Sequence, residues 1–139
     1  MSEENKRLFV QLMEEVFNQG NFDVADELVA TDFLNHEAPD SRGPEGFKQT
    51  ARWLRTAFPD LRAVLHEIVA ERDLVVGRIT VSGTHQGDYM GMPATGRSFS
   101  VEHMHMARVA DRKVAEHWAC RDDLLGQLVQ LGLAPLNPS

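Results

Sequence analysis

The run Ser98-Phe99-Ser100-Val101-Glu102-His103-Met104-His105-Met106-Ala107-Arg108-Val109, followed by Ala110-Asp111-Arg112 and Lys113-Val114-Ala115-Glu116-His117-Trp118-Ala119, decides the fold. Side chains alternate between the two faces of a strand, so Phe99, Val101, His103, His105, Ala107 and Val109 share one face of the first segment. Ala110, Asp111 and Arg112 make a short polar turn, and the chain returns with His117 on the same face as Ala115 and Ala119. Pairing the two segments antiparallel, with these faces together, predicts one concave surface lined by three imidazoles.

Working outward, residues from about Arg121 to Leu131 read as a closing helix stopped by Gly132. Upstream, Leu61–Val69 and Leu74–His85 read as two further strands around a turn at Ala70-Glu71-Arg72-Asp73, and 86–96 as a loop. Gly77 and Gly83 mark bends or the close approach of another backbone. Before the strands come helices. Leu8, Phe9, Leu12, Met13, Val16 and Phe17 form one stripe between Ser2 and Gln19; a short helix covers Phe22–Val29; a third starts at Pro44 and carries Phe47, Ala51, Leu54 and Phe58. Asp32–His36 is a short extended piece, and residues 37–43 are a loop. Helices followed by a meander of four strands predict an α+β fold. Long, glycine-bent antiparallel strands curl, and helices in the concavity leave a pocket at one end.

The chain has 139 residues, enough for one domain (1–139). A net charge of −7, without a cluster of Lys or Arg, excludes the basic face that a nucleic-acid partner demands. No apolar run reaches the roughly 20 residues that span a bilayer, so no membrane partner is expected. The acidic start Met1-Ser2-Glu3-Glu4 is unlike a signal peptide, and a single cysteine, Cys120, forms no internal disulfide; a cytoplasmic location is expected.

His85-Gln86-Gly87 with Met90-Gly91-Met92-Pro93-Ala94-Thr95-Gly96-Arg97, the run Arg108 to Trp118, and Gln130-Leu131-Gly132 together resemble the SnoaL-like polyketide cyclases (ester cyclases). Phe17-Asn18-Gln19-Gly20-Asn21-Phe22-Asp23 and Asp32-Phe33-Leu34-Asn35 look like the matching N-terminal parts, so the resemblance covers essentially the whole chain. It implies the cone-shaped α+β barrel of the nuclear transport factor 2-like superfamily, a strongly curved antiparallel or mixed sheet wrapped around N-terminal helices, and a homodimer or higher oligomer formed through the outer sheet face. It also implies ring closure by intramolecular aldol condensation without a cofactor. Matched residue by residue, the family's pocket falls on Asn35, His105 and His117, with a pocket glutamine replaced by His103 and the catalytic aspartate by Ala119.

The residues carry two readings. In the first, His105 is a general base, because an imidazole titrates close to working pH; His117 and Asn35 orient it or stabilise the enolate. Asp122 is the acid that replaces the missing carboxylate, unless Asp122 and Asp123 only cap the last helix. The ligand is then a small apolar or aromatic carbonyl compound held by Asn35, His103, Phe33, Trp53 and Met92, with Met90 and Met92 in a lid. In the second, the same pocket binds an apolar molecule without chemistry, which Ala119 favours. Three inward histidines also fit a metal site, although the family resembled works without metal; no metal or other cofactor is expected.

Overall fold

The computed structural model describes residues 2–121 and 124–133, the side chains of 124–126 excepted. Helix α1 (Ser2–Gln11) continues without a break into a wider π-helical segment, Leu12–Asn18, that turns Leu12, Met13 and Val16 into the core. Gly20, at φ +73°, ends it. A 3₁₀ turn (Phe22–Val24) and α2 (Ala25–Leu28) lead into β1 (Val29–Asn35), and α3 (Gly43–Ala57) precedes a meander of β2 (Arg62–Glu71), β3 (Leu74–Thr84), β4 (Ser98–Ala110) and β5 (Lys113–Arg121). The short helix α4 (Leu124–Gln130) closes the described chain.

The extended piece before the loop is longer than its sequence indicates, and it becomes a fifth strand. β1 pairs in parallel with β5, giving the order β1-β5-β4-β3-β2 and a mixed sheet. The sheet does not close on itself: β1 and β2 are its two edges, with α3 against β1 and α1 against β2 and β3. The cone is therefore completed by helices. β5 runs to Arg121, two residues beyond the predicted strand end, and α4 starts correspondingly later.

Two contacts fasten the end of the π-helical segment to the sheet. The Asn18 amide donates to Ala63 O at 2.9 Å and accepts from Ala63 N at 2.7 Å. Arg55 reaches the carbonyls of Phe17 at 2.7 Å and Asn18 at 3.1 Å, satisfying helix-end acceptors, and that of Pro59 at 3.0 Å. Gly77 and Gly83 are sites of close approach, but by side chains rather than by another backbone. A Cβ at Gly77 would stand 2.8 Å from the Phe9 ring, and one at Gly83 would stand 2.9 Å from Phe58 Cβ. Loop 85–97 is pinned to α3: Gln86 N and Gly87 N both donate to Ala57 O, and a Cβ on Gly87 would collide with Thr56 O.

The core divides around the cone. Phe33, Val29, Val75 and Val16 are fully buried at one end, and Phe58 and Leu131 at the other. Each such side chain stabilises the fold by about 1.5–3 kcal/mol. The outer sheet face carries ion pairs of Arg78 with Glu67 and Glu102, and leaves Val64, Val69 and Met104 exposed. No helix among the described residues is long and apolar enough to cross a membrane.

Candidate active site

The β4–β5 register puts His117 opposite Ala107 and His105 opposite Ala119, so the two imidazoles sit diagonally on the inner face. β1 adds the third component, because Asn35 is the registered partner of His117. A β-bulge between Arg108 and Val109 shifts the pairing so that Val114, rather than Ala115, returns to the inner wall below His117.

These residues form one hydrogen-bonded chain. Asn35 Oδ1 lies 2.9 Å from His117 Nδ1, His117 Nε2 lies 2.8 Å from His105 Nδ1, and His105 Nε2 lies 3.3 Å from His103 Nδ1. Its polarity follows from one end. The backbone N–H of Glu37 donates to Asn35 Oδ1 at 3.0 Å, which fixes that atom as the oxygen. His117 Nδ1 must then carry a hydrogen, leaving Nε2 as acceptor; His105 Nδ1 must donate to it, leaving the lone pair on His105 Nε2. The nitrogens face one another in pairs, and among the described residues no His, Cys, Asp or Glu group is arranged to hold a metal ion.

Burial, then the neighbouring His117, His103 and Arg121, holds the His105 imidazole well below its ordinary range. His117 is lowered to about 4, first by burial and then by Arg121 and His36. Both rings are therefore neutral at neutral pH, the form in which an imidazole accepts a proton. Burial moves the Tyr89 hydroxyl the other way, upward, so it stays protonated and able to donate.

The chain of imidazoles opens into a chamber of about 690 Å³, large enough for a multi-ring ligand. Phe9, Met13 and Phe17 form one wall, Ile79, Val81 and Phe99 another, and Trp53 stacks on Tyr89 at 5.2 Å where α3 meets loop 85–97. Asn35, His103, His105, His117 and Trp53 all line this space. Phe33 does not: it is fully buried behind the wall, edge-on to Phe47 at 5.7 Å. Met92 also falls outside the lining; its backbone pairs with Tyr89, and Met90 and Tyr89 face the chamber instead. Asp122 and Asp123 lie outside the described residues.

Among the lining residues not singled out from sequence are Glu37, Tyr89, Arg121 and Gln127. Arg121 had a signal. It continues the alternation His117, Ala119, Arg121 once β5 is extended by one more step. Glu37 sits in a loop, where no periodicity applies, and is ion-paired to Arg121.

A model of the family described as SnoaL-like polyketide cyclase matches residues 7–131. The chain belongs to the SnoaL-like polyketide cyclase family. Among its relatives, aklanonic acid methyl ester cyclase DnrD of Streptomyces peucetius is 40% identical over 131 residues, covering 88% of each chain. Nogalonic acid methyl ester cyclase of Streptomyces nogalater is 37% identical over 127 residues, covering 86% of this chain and 92% of that one. The solved structure of TsrD from Streptomyces laurentii superposes with a TM-score of 0.85 at 32% identity, covering 95% of this chain and 97% of its own. The curved α+β architecture of this SnoaL-like protein is thus that of its family.

Proposed function

We propose that the protein closes a ring by an aldol-type reaction on an apolar, polycyclic carbonyl compound, using its own side chains and no cofactor. The observation that carries this reading is the chain Asn35–His117–His105, which puts the hydrogen on His105 Nδ1 and the lone pair on Nε2, in a 3.3 Å contact with His103 Nδ1 at the wall of a largely apolar chamber. His105 Nε2 removes a proton from the carbon next to a carbonyl, and the electron pair moves to that carbonyl oxygen as an enolate. The enolate carbon attacks a second carbonyl of the same molecule, forming the C–C bond, and the new alkoxide takes the proton back from His105. Protons and one electron pair balance without an outside oxidant or reductant. His117 is held at both ring nitrogens by contacts of 2.8 and 2.9 Å, whereas His105 Nε2 makes only the longer 3.3 Å contact with His103, which a substrate proton can replace; His117 is therefore a positioning residue that accepts from His105 Nδ1 and steadies the imidazolium. The Tyr89 hydroxyl, from loop 85–97, lines the same chamber and is a donor for developing oxyanions.

A second reading, a binding protein without catalysis, is favoured by Ala119. A carboxylate there would support the imidazolium, and a lowered His105 is a weaker base. One experiment separates the two. Aklanonic and nogalonic acid methyl esters are incubated with the protein and ring closure is followed by chromatography. The cyclase reading predicts turnover that His105→Ala reduces by about 10²–10⁴-fold. Binding of the esters without closure, unchanged by Ala119→Asp, identifies the binder; turnover untouched by His105→Ala removes His105 from the mechanism.

A further inference from the structure

Besides the imidazole chain, the chamber has a second polar place, where loop 85–97 meets α4. Tyr89 reaches it from the tip of a hairpin: its backbone N–H and C=O pair with Met92 at 2.9 Å each way, around Met90 and Gly91 at φ +53° and +79°. Its ring packs on Trp53, stacked at 5.2 Å, and on Phe58 at 5.0 Å. Gln127 comes from α4, which is fastened to β4 through its last residue. Ser100 N donates to Gln130 Oε1 at 2.6 Å, and Gln130 Nε2 donates to Ser100 O at 3.2 Å. Leu131, next in the chain and fully buried, seats that end of the helix. Gln127 and Tyr89 are 6% and 7% exposed, and both line the chamber.

A buried amide needs partners, because desolvation without a hydrogen bond is costly. Among the described residues the Gln127 side chain has one, Tyr89. Burial raises the Tyr89 hydroxyl, while Arg121 and then a hydrogen bond with Gln127 act against that rise. A bond that lowers a phenol is one donated to its oxygen, so one amide hydrogen of Gln127 goes to Tyr89 Oη. The phenolic hydrogen and the second amide hydrogen remain, and among the described residues neither has an acceptor. Two neighbouring donors in an apolar chamber match the two lone pairs of one carbonyl oxygen.

We propose that Tyr89 and Gln127 form a two-donor receptor for one carbonyl oxygen of the ligand, with Gln127 both aligning the Tyr89 hydroxyl and bonding the ligand itself. The group it takes is a neutral ketone or ester carbonyl on an apolar ring system. Holding that oxygen decides which end of the ligand faces the imidazole chain. The inference rests on reading the chamber as a site for an apolar carbonyl compound.

The test is isothermal titration of the whole protein with 1-tetralone and with tetralin, which differ by the carbonyl alone. Dividing the ketone affinity by the hydrocarbon affinity removes what the two share, packing and the exclusion of water. Gln127→Met and Tyr89→Phe each lower that quotient about three- to tenfold, one lost hydrogen bond apiece. A residue that only supports the fold weakens both ligands alike and leaves the quotient where it was. Folding is checked by circular dichroism, and Gln127→Leu serves where Gln127→Met is unstable. A quotient unchanged in either folded variant overturns the proposal, as does a wild-type protein that binds neither compound. The titrations involve no turnover. A protein that closes no ring still shows the drop, and an unchanged quotient leaves the role of His105 in the ring-closure assay untouched.

Discussion

His105 and His117 show how single residues are tuned here by their surroundings. Neither is remarkable in sequence beyond its place in the alternation of a strand; their shared face could be read, but their protonation could not. Whether an imidazole is neutral depends on desolvation and on Arg121, which the sequence places near them only once β5 is known to extend that far. The consequence is a pH dependence of known sign. A histidine lowered from 6.5 to about 4 binds its proton more readily in the unfolded chain than in the folded one. Its stabilising contribution is complete above the unfolded value and is lost as pH falls from about 6.5 towards 4. His105 is shifted in the same direction and adds to the loss. Asp60, Asp73 and Glu116, whose carboxyls are lowered chiefly by hydrogen bonds from Thr84, Arg108 and His36, contribute separately and at more acid pH. Urea denaturation at pH 5.5 is expected to show uptake of about two protons on unfolding from this pair, reduced by about one in His117→Gln. A stability that is flat between pH 7 and 5 would contradict the burial of both rings.

At the scale of elements, the meander β2–β5 was legible because each antiparallel step has a local turn and an alternating face. The partner of β1 was not. A parallel strand has no connecting turn to announce it, and its pairing with β5 is made by tertiary contact across some 80 residues; yet that pairing brings Asn35 to His117 and sets the polarity of the whole chain. Phe33 was misjudged for a related reason. On β1 the inward Phe33 faces the packed end of the cone while Asn35, two residues on along the same face, reaches the chamber, and helix placement decides which. The outward wall depends equally on a contact with no sequence signature, the double bond of Asn18 to Ala63. It satisfies backbone groups near the start of β2, an edge strand whose Ala63 also lines the chamber. Asn18→Ala leaves both groups without that partner and is expected to cost about 1–3 kcal/mol in urea unfolding. A cost below the error of the measurement would show that the helix end is held by Arg55 alone.

For the molecule as a whole, an incomplete sheet is turned into a chamber by helices laid across its open side. The N-terminal helical run supplies one apolar wall, α3 another, and loop 85–97 brings Tyr89 over Trp53. The enclosure and the proton chain are one device, because the walls that exclude water also keep the imidazoles neutral and the Asn35 end fixes where each hydrogen sits. Family and architecture were legible from motifs spread over the chain, whereas the chamber's volume and its Arg121–Glu37 pair emerged only from the assembled cone. The central claim is that His105 presents its Nε2 lone pair inside this enclosure. Long-range proton–nitrogen correlation spectra of ¹⁵N-histidine-labelled protein at pH 7 test it most directly. The account predicts that His105 and His117 are both neutral and hydrogenated at Nδ1, the minor form of a free imidazole. Resonances showing hydrogen on Nε2 of either ring, or rings titrating with the ordinary midpoint near 6.5, would contradict it.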